Sequence, residues 1–277
     1  DETATSKTGD VPDTQMLRSL VLAACLATTA TATAPRPALL RLRGGGGAAK
    51  AGGGEGQPKT GKLWVASTFS RDHIRFMSEL LHYLGAYAGP RALAPSTIES
   101  VMMTMNSVNT CPYCSGLHDE LGRMAQAKVD KKQPEVAYAT TFAEEAGRGA
   151  KVRAAYATLV GAVGEGKALS ARALCWALLW GKTTGNSIND VRGKLLAPRR
   201  WLELTPFDLL LFLYYGPLFL VIGLVNAVLA KAPQVPAWVS AGLGVVLWVP
   251  QAVHLLFAGL ISLALRLLAS PVVGLSL

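Results

Sequence analysis

Two thiols and an imidazole carry the most specific chemistry in this sequence. In the stretch Asn109-Thr110-Cys111-Pro112-Tyr113-Cys114-Ser115-Gly116-Leu117-His118 the cysteines lie three residues apart, and His118 follows Cys114 by four. Proline suits the first turn of a helix, so Pro112 makes Cys111 the expected N-cap. Cys114 then falls in the first turn, beside unpaired amide donors and the positive end of the helix dipole. Thiolates are favoured in such a place. His118 stands one turn after Cys114 on the same helix face, where it can take a thiol proton or return one to a leaving group. A dithiol, a base and a helix N-terminus together are what peroxide reduction or thiol–disulfide exchange requires.

The same residues have plainer uses. A zinc site would need further ligands, and with no second Cys-x-x-Cys and no paired histidines it would fall back on distant His73 or His82. Haem attachment would need a histidine directly after the second cysteine, where Ser115 stands. Glu99 belongs to Ser96-Thr97-Ile98-Glu99, which on spacing alone reads as a capping box whose carboxylate reaches back to an amide. Tyr113 and the trio Met102, Met103 and Met105 read as packing residues. Of the four cysteines in the chain, Cys175 sits in an apolar run, where a thiol behaves as a small core residue, and Cys25 falls in a segment expected to be cleaved.

The elements that must hold this group are helical. Between Trp64 and Trp201 the apolar residues recur at helical period, with helices expected at 70–88, 97–109, 112–127, 135–146, 150–163 and 170–186. Gly89-Pro90, Gly147 with Gly149, and the stretch Gly164 to Lys167 punctuate them. No alternating run suggests a sheet, so the fold class is all-α, a helical bundle.

With these elements in place, Glu99, Cys111, Cys114 and His118 resemble the alkylhydroperoxidase-D-like branch of the carboxymuconolactone decarboxylase superfamily. Its signature is a glutamate twelve residues before a Cys-x-x-Cys-x-x-x-His, and the Asn186 to Asn189 stretch is similar as well. The likeness runs over roughly residues 70–195. It implies an all-helical, usually oligomeric and often trimeric fold. By the same resemblance Cys114 is the thiol that attacks peroxide, Cys111 gives a proton and then closes the disulfide, and His118 and Glu99 relay protons through a water. Some members carry a second histidine between the cysteines, where this chain has Tyr113. No cofactor or metal is implied.

Hydrophobic residues make up 51% of the 277, and the excess lies beyond Leu209. Leu209 to Ala230 is a run of 22 residues without a charge, long enough to span a bilayer. Trp238 to Leu265 is a second run, so the sequence predicts a C-terminal transmembrane hairpin joined by Lys231 to Pro236. Lys194, Arg199 and Arg200 before the first span, with Arg266 after the second, put the thiols on the positive-inside face. At the other end, Met16 to Ala34 has a signal-peptide shape. The basic, glycine-rich segment Pro35 to Lys62 after it reads as a flexible transit segment. This pairing resembles the bipartite presequences of algae with secondary plastids, and a secretory signal with a linker is the alternative. The expected organisation is 1–62 leader and presequence, 63–200 redox domain and 201–277 membrane anchor. The net charge of +9, from 27 Lys and Arg against 18 Asp and Glu, is scattered without a basic stripe, which argues against nucleic-acid binding.

The leading expectation is a membrane-anchored thiol peroxidase that takes a peroxide substrate and an external dithiol reductant and has membrane lipid as a neighbour. The alternatives are a protein disulfide oxidoreductase, a non-catalytic accessory subunit of a membrane complex and, more remotely, a non-redox lyase.

Overall fold

The computed structural model describes residues 63–108, 111–231 and 237–268. The expected presequence, Cys25 and the centre of the predicted hairpin loop lie outside these residues. Among the described residues eight α-helices run in chain order: α1 Ala66–Tyr87, α2 Pro95–Val108, α3 Pro112–Met124, α4 Pro134–Glu144, α5 Ala150–Val163, α6 Glu165–Leu196, α7 Pro206–Leu229 and α8 Ala237–Leu268. A 3-10 turn, Pro198–Glu203, links α6 to α7. No strand occurs among the described residues, as the all-α reading expects.

The long helix α6 is the axis of the bundle. It carries an almost unbroken buried stretch from Ala168 to Ile188 and packs against α1, α2, α3, α4, α5 and α7. The sequence predicts a much shorter helix here, 170–186. Two features account for the difference. Gly164 takes φ +81°, a left-handed turn that lets α5 stop and α6 start at once. At the other end Gly181, Gly185 and Asn186 resemble breakers but lie inside a buried helix, where tertiary packing outweighs their weak propensity. Trp64 pins the entry to the bundle on α6, its indole donating to Thr184 Oγ1 at 2.9 Å and its amide to Ser187 Oγ at 2.8 Å.

Helices α7 and α8 share the core of the other six. Tyr215, Phe219 and Leu255 are buried in it, and α7 packs on α6 and α3 while α8 packs along α1, each far more than on the other. Thr205 and Asp208 start α7 with a reciprocal capping box, each side chain accepting from the other's amide at 3.1 Å. Lys194 and Arg200, read from the sequence as a positive flank, are engaged in ion pairs. Lys194 meets Asp190 and Asp208, and Arg200 meets Asp190 and Glu203. Among the described residues one helix, α7, is long and apolar enough to cross a membrane; in α8 the apolar stretch is the shorter Val249–Ala264.

A buried polar knot fastens α7 to the bundle. His73 Nδ1 lies 2.7 Å from the Phe69 carbonyl, so this nitrogen carries the proton. Nε2 is then left to accept from the Trp180 indole at 3.1 Å and from the Tyr215 hydroxyl at 2.7 Å. One imidazole thus ties α1, α6 and α7 together. Burial disfavours its charged form and lowers its pKa to about 4, against the raising effects of the Phe69 carbonyl and Asp72.

Candidate active site

Helix α3 starts as the sequence predicts, with Cys111 as N-cap and Pro112 in the first turn. The Cys111 sulfur accepts from the Cys114 amide at 3.4 Å, and the two sulfurs stand 2.7 Å apart. Both thiols are free and buried, Cys111 at 0% exposure and Cys114 at 7%. They differ in what surrounds them. Burial by itself would push the Cys111 thiol up. Hydrogen bonding from the Cys114 side chain and from the amides of Cys114 and Tyr113, with the charge of Lys182, outweighs that and lowers it. Cys114 is pushed up by burial and then by its partner sulfur. Of the two thiols, Cys111 is therefore the one that ionises first. The reason is local geometry, since it is the N-cap side chain that lies over the unpaired amides of the first turn.

His118, one turn on, bonds through Nδ1 to Glu99 Oε2 at 2.9 Å. Glu99 is 4% exposed on the inner face of α2. The capping reading of Ser96 and Glu99 is corrected here. Helix α2 begins at Pro95, and the Ala94 carbonyl already accepts from the Ile98 amide at 3.0 Å. Ser96 is thus inside the first turn, and Glu99 is too far along to reach back to the start. Its carboxylate turns to His118 instead. With Nδ1 bound to a carboxylate, the imidazole has Nε2 available for chemistry.

Cys114 and His118 open on one cavity of about 50 Å³, from which Cys111 and Glu99 are set back. That space holds a few waters or the head of a small peroxide. The wall is aromatic and aliphatic: Tyr83 and Tyr87 from α1, Phe219 and Ile222 from α7, Leu255 from α8. The two tyrosine hydroxyls meet at 3.1 Å. Sequence reasoning missed this pair. Its spacing of four residues on an amphipathic helix was the signal available, and it is a signal that any core helix gives.

The sequence reading also passed over two features of α6. Lys182 is buried at 2% exposure, and its ammonium donates to the Met105 carbonyl. Gly185 lets the helix approach the pair, because a Cβ there would come within 2.7 Å of the Cys111 sulfur and 2.9 Å of the Phe219 ring. A lone lysine after Leu178-Leu179-Trp180-Gly181 was the available sign. From α7, Asn226 reaches the same turn and donates to the Tyr113 carbonyl at 3.0 Å.

The candidate zinc ligands do not join the pair. His73 belongs to the knot with Tyr215, and His82 faces Arg91 at 3.3 Å. Cys175 is buried in α6 as a core residue, and burial raises its thiol pKa. Comparison of the chain with family models, with curated proteins and with solved structures gives no match.

Proposed function

We propose that the chain is a membrane-associated thiol peroxidase of the alkylhydroperoxidase-D-like kind. The observation that carries the reading is the paired arrangement at the cavity: two sulfurs 2.7 Å apart at a helix N-terminus, with the exposed-side thiol beside a histidine held by a buried carboxylate. The proton of Cys114 passes to the Cys111 thiolate, and the Cys114 thiolate attacks the outer peroxide oxygen. The O–O bond breaks, sulfur keeps one oxygen as a sulfenic acid, and the leaving alkoxide takes a proton from His118, which Glu99 holds in place through Nδ1. The Cys111 thiol then displaces water from the sulfenic acid, closing the disulfide. An external dithiol reopens it by exchange, and its own sulfurs become the disulfide.

Exposure favours this over a protein disulfide oxidoreductase. A folded partner needs a sulfur at the surface, whereas Cys111 is 0% and Cys114 7% exposed, behind an opening suited to a small head group. Lipid is the proposed neighbour of the outward faces of α7 and α8, where Leu210, Leu213, Val228, Val246 and Phe257 are exposed. Their inward faces close the cavity. The proposed location is a plastid membrane, on the strength of residues 16–62 of the sequence.

The test is turnover of an organic hydroperoxide by the full chain with a small dithiol as reductant. Cys114→Ser should abolish it. Cys111→Ser, mixed with peroxide before any dithiol is added, should consume one equivalent more slowly than the native chain and leave a sulfenic acid that a dimedone probe labels. Undiminished turnover in Cys114→Ser would refute the mechanism.

A further inference from the structure

We propose that Lys182 is the counter-cation of the Cys111–Cys114 pair, a positioning residue that fixes the single negative charge of the reduced dithiol. The inference rests on the redox reading of the pair but on none of its peroxide chemistry.

Helix α6 passes close beside the two thiols. A Cβ added at Gly181 would lie 3.8 Å from the Cys114 sulfur, and one at Gly185, a turn later, would lie 2.7 Å from that of Cys111. Lys182 stands between these two glycines in sequence, and its ammonium reaches the Met105 carbonyl. Met105 is in the last turn of α2, where carbonyls lack helical partners and the dipole is negative. Among the described residues no carboxylate pairs with Lys182. A buried ammonium without an opposite charge is costly, so its anion has to come from the thiols beside which α6 runs.

The electrostatics agree in direction. Burial lowers the Lys182 pKa to about 8, while Cys114, Cys111 and Cys175 act to raise it. Lys182 in turn favours the charged form of each of the three thiols. The other ionisable groups around the pair are Glu99 on α2, His118 on α3 itself, and Tyr83 and Tyr87 on α1. Helices α7 and α8 bring Phe219, Asn226, Gln251 and Leu255, none of which is charged. Closing the disulfide removes the anion and leaves Lys182 alone with the Met105 carbonyl, so oxidation of the pair should favour loss of the lysine proton.

A residue that merely capped α2 would also be buried and bonded to Met105, so the test has to read thiol ionisation. Absorbance of thiolate near 240 nm and the rate of iodoacetamide alkylation, each followed against pH, report it in the reduced full chain without any peroxide. Lys182→Met, and Lys182→Gln as a neutral variant that keeps a donor for Met105, should each raise the first ionisation of the pair by a pH unit or more, with about tenfold slower alkylation at pH 7. Thermal unfolding confirms that the variants are folded. An unshifted profile in a folded variant overturns the proposal. If neither variant folds, the native chain decides. A Lys182 ammonium that loses its proton at lower pH in the oxidised than in the reduced chain, followed by NMR of lysine labelled at Nζ, sustains the counter-cation, and one unmoved by oxidation overturns it. Shifted ionisation with no peroxide turnover in the native chain would leave Lys182 in its role and sink the peroxidase reading alone.

Discussion

Acidification should loosen the bundle through His73. The folded protein holds this imidazole neutral, with its pKa lowered from 6.5 to about 4 by burial. An unfolded chain binds a proton there below about pH 6.5, whereas the folded one resists until about pH 4. The stability conferred by the neutral ring is thus fully present above pH 6.5 and is lost as the pH falls through the window to 4. At roughly 1.4 kcal/mol per pH unit, the loss is about 3 kcal/mol. The residue is 0% exposed, so solvent screening does not reduce the figure. His73→Gln removes the titration and leaves an uncharged polar side chain facing Trp180 and Tyr215. Urea unfolding of both forms at pH 7 and at pH 4 gives the comparison, since carboxylates titrate alike in the two and cancel. The native chain should lose about 3 kcal/mol more than the variant over this range. Equal losses would refute the reasoning and place the His73 imidazole in contact with water.

Two further substitutions examine the site. Glu99→Gln removes the charge that steadies His118 while leaving an acceptor in place, and peroxide turnover should fall on the order of 10²-fold with the helical content unchanged. Gly185→Ala drives a methyl to 2.7 Å from the Cys111 sulfur and 2.9 Å from the Phe219 ring, so thermal unfolding should show a loss of about 1–3 kcal/mol. Gly181→Ala, with its nearest atom at 3.8 Å, should be tolerated and serves as the control.

The first turn of α3 was legible because proline and the Cys-x-x-Cys spacing are local signals, and the N-cap they predict is where the chain folds. The distribution of charge was not legible. Spacing places Cys114 in the first turn and suggests a thiolate there, yet the amides converge on the side chain that precedes the turn, Cys111. The role of Glu99 turned on a boundary, and boundaries are the weakest part of any sequence reading. Starting α2 at Pro95 instead of 97 converts a capping carboxylate into a partner for His118. Lys182, Tyr83 and Tyr87 were hidden for another reason. They reach the cavity from helices distant in sequence, and nothing local in α6 or α1 distinguishes a residue aimed at the thiols from one aimed at the core.

Hydropathy predicts a boundary near residue 200 between a helical domain and an anchor, whereas packing joins the two parts in one core. Helix α7 is about 36 Å long at 1.5 Å per residue, sufficient for a hydrocarbon core of about 30 Å. Its inner face is nonetheless committed along much of that length: Tyr215 to His73, Phe219 against the Tyr113 ring at 5.4 Å, and Asn226 to the Tyr113 carbonyl. A helix so docked cannot leave the bundle to cross a bilayer alone without stripping the roof from the cysteine pair. On the proposed reading the membrane meets α7 and α8 by their outward faces while the inward faces stay on the site. Lipid contact and access to Cys114 are then properties of the same two helices. An apolar hydroperoxide in the cavity would lie against Phe219, Ile222 and Leu255 beside the thiol.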